Sequence, residues 1–348
     1  MSITRRGKVS VAVVTALLVA GGALGYFALF PDQAPAIVRT TLNRVGLVEA
    51  PPPPPPACPL TGELAEGGVV PDRPALAVKI ENYPDARPQA GLQSADVIYE
   101  EPVEGGITRF IVVYQCRDDT RIGPVRSART VDPEVLGQLG VPILAYSGGA
   151  PGVLNALEDA DLVTVDESSG GDAFVRDDSR EVPHNLYAST GKLYEVAHST
   201  QGPPPPLFTY SEELTSRSRK ASSVHLPFSA TYADVWWSWD RQLGEWVRSH
   251  GDVPHTVESG GPVTADNVVV QVVDMVIPEG RLTPELELTG SGKAYVFRDG
   301  RMVVGRWERP TLGDVTVFVT KDGTEIPLAP GRTWVELLPS TAAVETAR

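Results

Sequence analysis

An unbroken apolar segment stands at the start of the chain. Residues 9–30 are 22 consecutive residues without a charged side chain, and they follow the basic segment 1–8. At about 1.5 Å per residue, a helix of this length spans roughly 33 Å, enough to cross a hydrocarbon core of about 30 Å. Basic residues before such a span favour a cytoplasmic N-terminus. The pattern predicts a cytoplasmic tail at 1–8, a single transmembrane anchor at 9–30 and an extracytoplasmic remainder.

A cleaved signal peptide is the alternative for this segment. Its apolar region is typically about 7–15 residues long and is followed by a small-residue cleavage site. The only nearby match is Ala34-Pro35-Ala36, where proline is unfavourable, and no cysteine follows directly as a lipidation site. We therefore expect an uncleaved signal-anchor. Residues 31–57 include six consecutive prolines and are predicted to be an extended linker.

Beyond the linker, short apolar runs alternate with helix signals up to about residue 200. Apolar residues occupy both faces of 108–116, which predicts a central strand covered on both sides. Asp132-Pro133 predicts the start of a helix, and residues 151–160 predict another. The other strands are predicted at 75–81, 97–101 and 141–146. This alternation predicts an α/β domain over residues 58–200.

The second half of the chain has a different pattern. After the proline-rich break at 201–206, most apolar runs are short and rich in β-branched residues. Asp299-Gly300 and Asp322-Gly323 each separate two such runs, as hairpin turns do. The complete prediction is an α+β fold, with a mostly β C-terminal domain over 207–338 and a disordered tail at 339–348.

Charge and cysteine content narrow the function. The net charge is −14, so the chain lacks the basic footprint of a general nucleic-acid binder. Cys58 and Cys116 are the only cysteines, and outside the membrane such a pair favours a disulfide over two free thiols. Two cysteines without neighbouring histidines do not form a typical metal site. We therefore predict a disulfide, no metal and no cofactor.

Familiar catalytic motifs do not occur. Gly290-Ser291-Gly292-Lys293 resembles a phosphate-binding loop, but that loop needs an earlier glycine where Glu287 stands and a serine or threonine where Ala294 stands. A tight turn explains the glycines. The sequence contains no GxGxxG, HExxH, CxxC or GxSxG motif, and its five histidines show no metal-ligand spacing.

The most informative segment is 82–129, where glycine and proline accompany charged residues. Arginine suits bidentate recognition of carboxylate or phosphate, so the segment predicts a site for an anionic ligand. The alternative is that its arginines form internal salt bridges with Glu100, Glu101 and Glu104. The predicted ligand-binding residues are Asn82, Arg87, Arg109, Arg126, Ser127 and Arg129.

An enzymatic interpretation remains open beside the binding interpretation. Its acid–base candidates are Asp96, Glu100, Glu104 and His184. A histidine acts as a general base only when a nucleophile or water lies within hydrogen-bond reach. Convergence of one acid, His184 and Arg126 in a cleft would favour this interpretation.

Several runs on both sides of the break at 201–206 follow one recognisable pattern. In the first half they are Ala77-Val78-Lys79-Ile80-Glu81-Asn82, residues 86–92, residues 95–100, residues 104–110, residues 122–129, Tyr146-Ser147-Gly148-Gly149 and His184-Asn185. In the second half they are residues 266–271, residues 290–300 and Gly331-Arg332-Thr333-Trp334. This pattern resembles the YerB-like family of bacterial envelope proteins, over roughly residues 58–338. The resemblance implies a two-domain lipoprotein-like architecture of unknown function, with no catalytic residues to transfer. The chain departs from the family by lacking the lipidated cysteine.

The function expected from these observations is non-catalytic. We expect a membrane-anchored, extracytoplasmic envelope protein that binds an anionic cell-wall-related ligand or a wall-synthesis protein. The enzymatic alternative is a hydrolase or transferase acting on envelope glycan or lipid-linked phosphate. A third interpretation is a scaffold that presents its second domain to a partner.

Overall fold

The computed structural model describes residues 55–348. The predicted tail at 1–8, the predicted anchor at 9–30 and residues 31–54 of the predicted linker lie outside the described residues. Within residues 55–348, none of the helices combines the length and the apolar character that a membrane span requires. Strands predominate in this part of the chain, and the helices are few and short.

The first half of the described chain alternates strands with three α-helices. The helices are α1 (Val131–Leu136), α2 (Pro151–Glu158) and α3 (Thr190–Ala197). The strands are β1 (Leu76–Glu81), β2 (Val97–Pro102), β3 (Thr108–Tyr114), β4 (Ile143–Tyr146), β5 (Val163–Asp166), β6 (Phe174–Arg176) and β7 (Leu186–Ala188).

The second half contains strands and no α-helix among residues 201–348. Its strands are β8 (Arg219–Lys220), β9 (Ser223–Ser229), β10 (Ala233–Asp240), β11 (Glu245–His250), β12 (Val253–Pro254), β13 (Thr264–Ala265), β14 (Asn267–Val273), β15 (Met275–Val276), β16 (Glu285–Leu286), β17 (Gly290–Arg298), β18 (Arg301–Arg309), β19 (Val317–Val319), β20 (Thr333–Pro339) and β21 (Glu345–Ala347).

Both halves contribute to one large sheet. Its strand order is β19-β18-β17-β14-β20-β2-β3-β1-β4-β5, and β8 pairs with β18. The two halves meet where β2 pairs in parallel with β20, from Val97 opposite Thr333 to Glu100 opposite Glu336. The segments predicted as two domains are therefore joined by backbone hydrogen bonds within a single sheet.

The two faces of this main sheet are covered differently. A second sheet, of order β12-β11-β10-β9-β21 with β13 beside β11, contributes Trp237 to one core, where its ring centroid lies 5.1 Å from that of Trp334. We call this side the tryptophan face. On the other side, which we call the helix face, α1 and α2 bury Val135, Val153 and Leu157 against the sheet.

The two ends of the described chain are both tied down. A disulfide joins Cys58 to Cys116, 58 residues apart, as the cysteine content predicts. At the other end, β21 lies within the segment predicted to be a disordered tail. Its backbone pairs with the edge of β9, from Glu345 opposite His225 to Ala347 opposite Ser223. An available strand edge orders this polar segment, which has little apolar surface of its own to bury.

Candidate functional site

Polar side chains concentrate at one end of the main sheet, where β1 and β2 end and β3 begins. Arg109 of β3 stands between Glu81 of β1 and Glu101 of β2 in the strand register. Directly opposite residues of antiparallel strands share a face, so these three side chains lie on the helix face. The next residues, Glu100 and Thr108, project to the tryptophan face, because successive side chains of a strand alternate.

A fully buried ionic group lies beneath this end of the helix face. The Lys79 ammonium pairs with Glu101 and Asp132, and the three side chains have no exposed surface. The second Asp132 oxygen accepts a hydrogen bond from the Arg129 backbone N–H at 2.7 Å. Burial, with a smaller contribution from Asp132, raises the pKa of Glu101 against the opposing effect of Lys79. Asp132 lies inside α1 rather than before it, so this acid ties the helix to the sheet.

Beside this ionic group are three arginines, which we call the arginine cluster: Arg109, Arg126 and Arg129. Arg129 pairs with Glu104, and Arg126 Nε lies 3.1 Å from Glu81 Oε1. Arg109 Nη1 donates to the Ser127 carbonyl at 2.9 Å, and Arg129 donates to the same oxygen at 3.2 Å. Ser127 therefore positions two of the arginines through its backbone.

The arginine cluster has more donors than acceptors. The Arg109 Nε is buried without a hydrogen-bond partner among the described residues, and so is the Arg126 Nε, whose ion pair with Glu81 is not directed as a hydrogen bond. Burial and the neighbouring Arg129 lower the pKa of Arg109 to about 10, so its guanidinium remains charged at neutral pH. Three guanidinium groups thus face two carboxylates, Glu81 and Glu104.

His184 joins this cluster through Glu81. Its Nδ1 lies 2.8 Å from Glu81 Oε2, and its ring stacks on Tyr83 with centroids 5.9 Å apart. Glu81 therefore contacts both His184 and Arg126. An acid, His184 and Arg126 do converge, but the acid is Glu81, which was not among the acids predicted from the sequence.

The three predicted acid–base carboxylates lie in three different environments. Asp96 is buried at the opposite end of β2, where it accepts the backbone N–H groups of Gln115 at 2.6 Å and Cys116 at 3.0 Å. Burial raises its pKa to about 6. Glu100 pairs with Arg248 on the tryptophan face, and Glu104 pairs with Arg129. Of these three acids, only Glu104 contacts the arginine cluster.

The tryptophan face carries a second polar group, which we call the Arg248 network. Arg248 and Glu100 have no exposed side-chain surface, and Arg248 Nη1 also lies 2.7 Å from His250 Nε2 and 2.8 Å from His255 Nδ1. Asn82 donates to Glu100 at 3.2 Å. Arg87 donates to the Asn82 side-chain oxygen at 3.1 Å and to the Asn82 carbonyl at 2.7 Å.

The six predicted ligand-binding residues are therefore divided between the two faces. Arg109, Arg126, Ser127 and Arg129 lie together on the helix face, whereas Asn82 and Arg87 belong to the network on the tryptophan face. Within residues 55–348, no three histidine, cysteine, aspartate or glutamate side chains form a group that could hold a metal ion.

Comparison with known proteins gives the same relationship for both halves. A family model described as the N-terminal domain of a protein of unknown function (DUF3048) matches residues 60–203, and the corresponding C-terminal domain matches residues 224–335. The "Putative lipoprotein YerB" of Bacillus subtilis (strain 168) is 30% identical over 300 residues, covering 83% of this chain and 88% of that protein. The chain belongs to the YerB-like DUF3048 family.

A solved structure extends the family relationship to the fold. The crystal structure of YerB from Bacillus subtilis matches with a TM-score of 0.73 and 28% identity, over 83% of this chain and 99% of that one. The family resemblance predicted from the sequence is thereby confirmed. The arginine cluster lies wholly in the region matched by the N-terminal domain, whereas the Arg248 network draws on both matched regions.

Sequence reasoning missed the residues that complete both polar groups. Lys79 and Glu81 are two charges on one face of an otherwise apolar strand, and this signal was available in the strand pattern. Arg248, His250 and His255 gave no comparable local signal. Arg248 is 148 residues from its partner Glu100, so only the fold brings the pair together.

Proposed function

We propose that this chain is an envelope protein held at the outer surface of the membrane, where the arginine cluster binds an anionic ligand related to the cell wall. Two observations support the location: the uncharged segment at 9–30, and the name "Putative lipoprotein YerB" of the relative. Envelope phosphates and carboxylates are the anions that arginine forks recognise.

The observation that carries the ligand proposal is the state of Arg109. Its residue is only 4% exposed, and its Nε is buried without a partner among the described residues. Leaving a buried donor unsatisfied costs about 1–3 kcal/mol, and more for a charged group. An anion that accepts from Arg109 and Arg126 balances the charge of the third guanidinium. Arg126, with 27% of its side chain exposed, supplies access from solvent.

The direct test measures binding to the full chain in detergent micelles by calorimetry. The probes are inorganic phosphate, pyrophosphate and acetate, compared between the wild type and the variants Arg109→Gln and Arg126→Gln. Loss of one charge-assisted hydrogen bond corresponds to about 1.5–3 kcal/mol, so affinity should fall roughly 10- to 100-fold in each variant. Arg306→Gln is the matched control, because Arg306 is a partly exposed arginine of β18 whose partner is Glu308.

The outcomes separate clearly. Weaker binding in both cluster variants with unchanged binding in Arg306→Gln supports the proposal. Equal affinity of wild type, Arg109→Gln and Arg126→Gln for every anion that binds would overturn the assignment of the site.

A hydrolase or transferase acting on envelope glycan or lipid-linked phosphate is the second candidate, and the Glu81–His184 contact favours it. A carboxylate that accepts the Nδ1 proton leaves Nε2 able to take a proton from water or an alcohol. Such a base contributes about 10²–10⁴ in rate. His184→Gln distinguishes the two functions: turnover of a glycan or phosphate ester falls by this factor in an enzyme, while anion affinity in a pure binding protein changes little.

A further inference from the structure

A cavity of about 510 Å³ opens on the tryptophan face, apart from the arginine cluster. Its walls come from the segment after β1, from the residues around the start of β10, and from the end of β11 with β12. Both family-matched regions therefore build it. The lining includes Pro84, Arg87, Tyr232, Asp234, His250 and Pro254.

We propose that this cavity is a second ligand site, which binds a small molecule or peptide end carrying one carboxylate next to an apolar group. The site is independent of the function proposed above, because none of its lining residues forms a hydrogen bond or an ion pair with an arginine of the cluster. Cavities of roughly 300–1,000 Å³ with apolar walls and a few placed polar groups are typical of small-molecule sites.

The hydrogen bonds of His250, a residue of the cavity wall, leave one of its ring nitrogens without a partner. Arg248 can only donate, so His250 Nε2, 2.7 Å from Arg248 Nη1, must accept. The ring proton of a neutral His250 is therefore on Nδ1. That nitrogen is buried and has no hydrogen-bond partner in the described chain. Burial, then the positive charges of Arg248 and Arg87, lower the pKa of His250, which keeps this tautomer neutral.

Both ring nitrogens of His255 have hydrogen-bond partners. Its Nδ1 accepts from Arg248 at 2.8 Å, and its Nε2 proton is donated to Gln89 Oε1 at 2.8 Å. The same arginine thus fixes the tautomers of both histidines. Of these two histidines, only His250 has an unpartnered ring N–H, on Nδ1.

Arg87 supplies the positive charge. Its Nε and Nη2 donate to neutral acceptors only, the two oxygens of Asn82 and the carbonyl of Tyr232. Its Nη1 makes no hydrogen bond within residues 55–348. Burial, followed by the Arg248 charge, lowers the pKa of Arg87 to about 10, so it stays protonated at neutral pH. Glu100, the acid nearest in this network, is already paired with Arg248.

The remaining lining selects the kind of anion. Asp234 lies on the wall and pairs with His225 at 2.5 Å, so a second negative charge stands near the ligand. This arrangement disfavours a phosphate dianion and leaves one carboxylate as the better match for one guanidinium and one N–H. The proline rings and Tyr232 then provide the surface for an apolar group beside the carboxylate.

The test uses the full chain in detergent micelles and N-acetylphenylalanine as the probe. Its neutral amide and inorganic phosphate are the comparison ligands, and binding is followed by calorimetry and by ¹⁵N spectra of the histidines. At this cavity, followed through the His250 resonances, the acid should bind at least tenfold more tightly than the amide or phosphate. In the free protein, His250 should show the resonance of a protonated Nδ1. Binding of the acid should shift this resonance.

Variants separate this site from the first one. Arg87→Gln should weaken the binding of the acid followed at His250 at least tenfold, and Arg306→Gln, the matched control outside both sites, should leave it unchanged. If Arg87→Gln lowers the melting temperature, His250→Phe provides the same test from the other side of the cavity. The proposal is overturned if the acid shows no saturable binding at His250, if the amide or phosphate shifts the His250 resonances at concentrations as low as the acid does, or if folded Arg87→Gln and His250→Phe proteins keep wild-type affinity for the acid.

Discussion

Arg248 and Arg126, one on each face of the main sheet, are held in different ways. On the tryptophan face, Arg248 and Glu100 are both completely buried, and two histidines accept further hydrogen bonds from the guanidinium. On the helix face, 27% of the Arg126 side chain is exposed, and its N–H groups have no directed acceptor in the described part of the chain. The first arrangement fixes the position of β11 against the sheet, whereas the second leaves charge available to a ligand.

The largest effect should come from breaking the closed arrangement. Arg248→Met leaves Glu100 buried without its cation, and removing one partner of a buried pair typically costs about 3–5 kcal/mol. The free energy of unfolding in urea should fall by this amount. Restoring neutrality with the second change Glu100→Gln should recover a large part of the loss. A single-variant loss below about 1 kcal/mol would show that the network contributes little to stability.

The disulfide is expected to contribute to the free energy of unfolding of the strands that carry both polar groups. Replacing Cys58 and Cys116 by alanine opens a loop of 58 residues. In the chain-entropy model this costs about 4 kcal/mol of unfolding free energy, although engineered cases often give less. Denaturant unfolding of the double variant measures the loss, and wild type with a reducing agent is the matched control. Stability equal to that of the oxidised wild type would contradict this prediction.

Local sequence patterns predicted the parts of this fold that depend on neighbouring residues. The strand over 108–116 was expected to be central and covered on both sides, and β3 is buried along its whole length. The cysteine pair was also predictable, because a sequence with two cysteines offers each of them one possible partner within the chain. Arg109, Arg126, Ser127 and Arg129 were chosen for their chemistry and do lie together.

Contacts between distant segments were not predictable in this way. Nothing in the composition after residue 207 indicated that β20 would pair with β2 and join two expected domains into one sheet. At the site, Thr108 and Arg109 are neighbours in sequence, but their side chains lie on opposite faces of the sheet. Asn82 and Arg87 were predicted to lie with the three arginines of the cluster because they are close in sequence, but the chain after β1 brings them to Glu100 on the tryptophan face.

Asp96 is a buried acid whose side chain contacts no cation among residues 55–348, and it predicts a pH dependence of stability. Asp96 is held only by backbone N–H groups, and burial raises its pKa from 3.8 to about 6. A raised pKa in the folded state means that its contribution to stability is complete below about pH 3.8 and is lost as the pH rises through about 6. Wild type should therefore lose up to about 3 kcal/mol relative to Asp96→Asn between pH 4 and pH 7. Parallel stability profiles for the two proteins over this range would contradict the assignment.

The smallest change in unfolding free energy is expected for Arg126→Gln, which tests whether Arg126 serves a ligand or the fold. Arg126→Gln removes a partly exposed ion pair, and such pairs contribute about 0–1 kcal/mol because water screens them. Glu81 keeps its contact with His184, so the variant does not leave this acid alone. Unfolding free energy should therefore stay within about 1 kcal/mol of wild type, while anion affinity falls. If Arg126→Gln instead destabilised the protein as much as Arg248→Met, Arg126 would serve the fold as Arg248 does. The assignment of the arginine cluster as a ligand site would then be wrong.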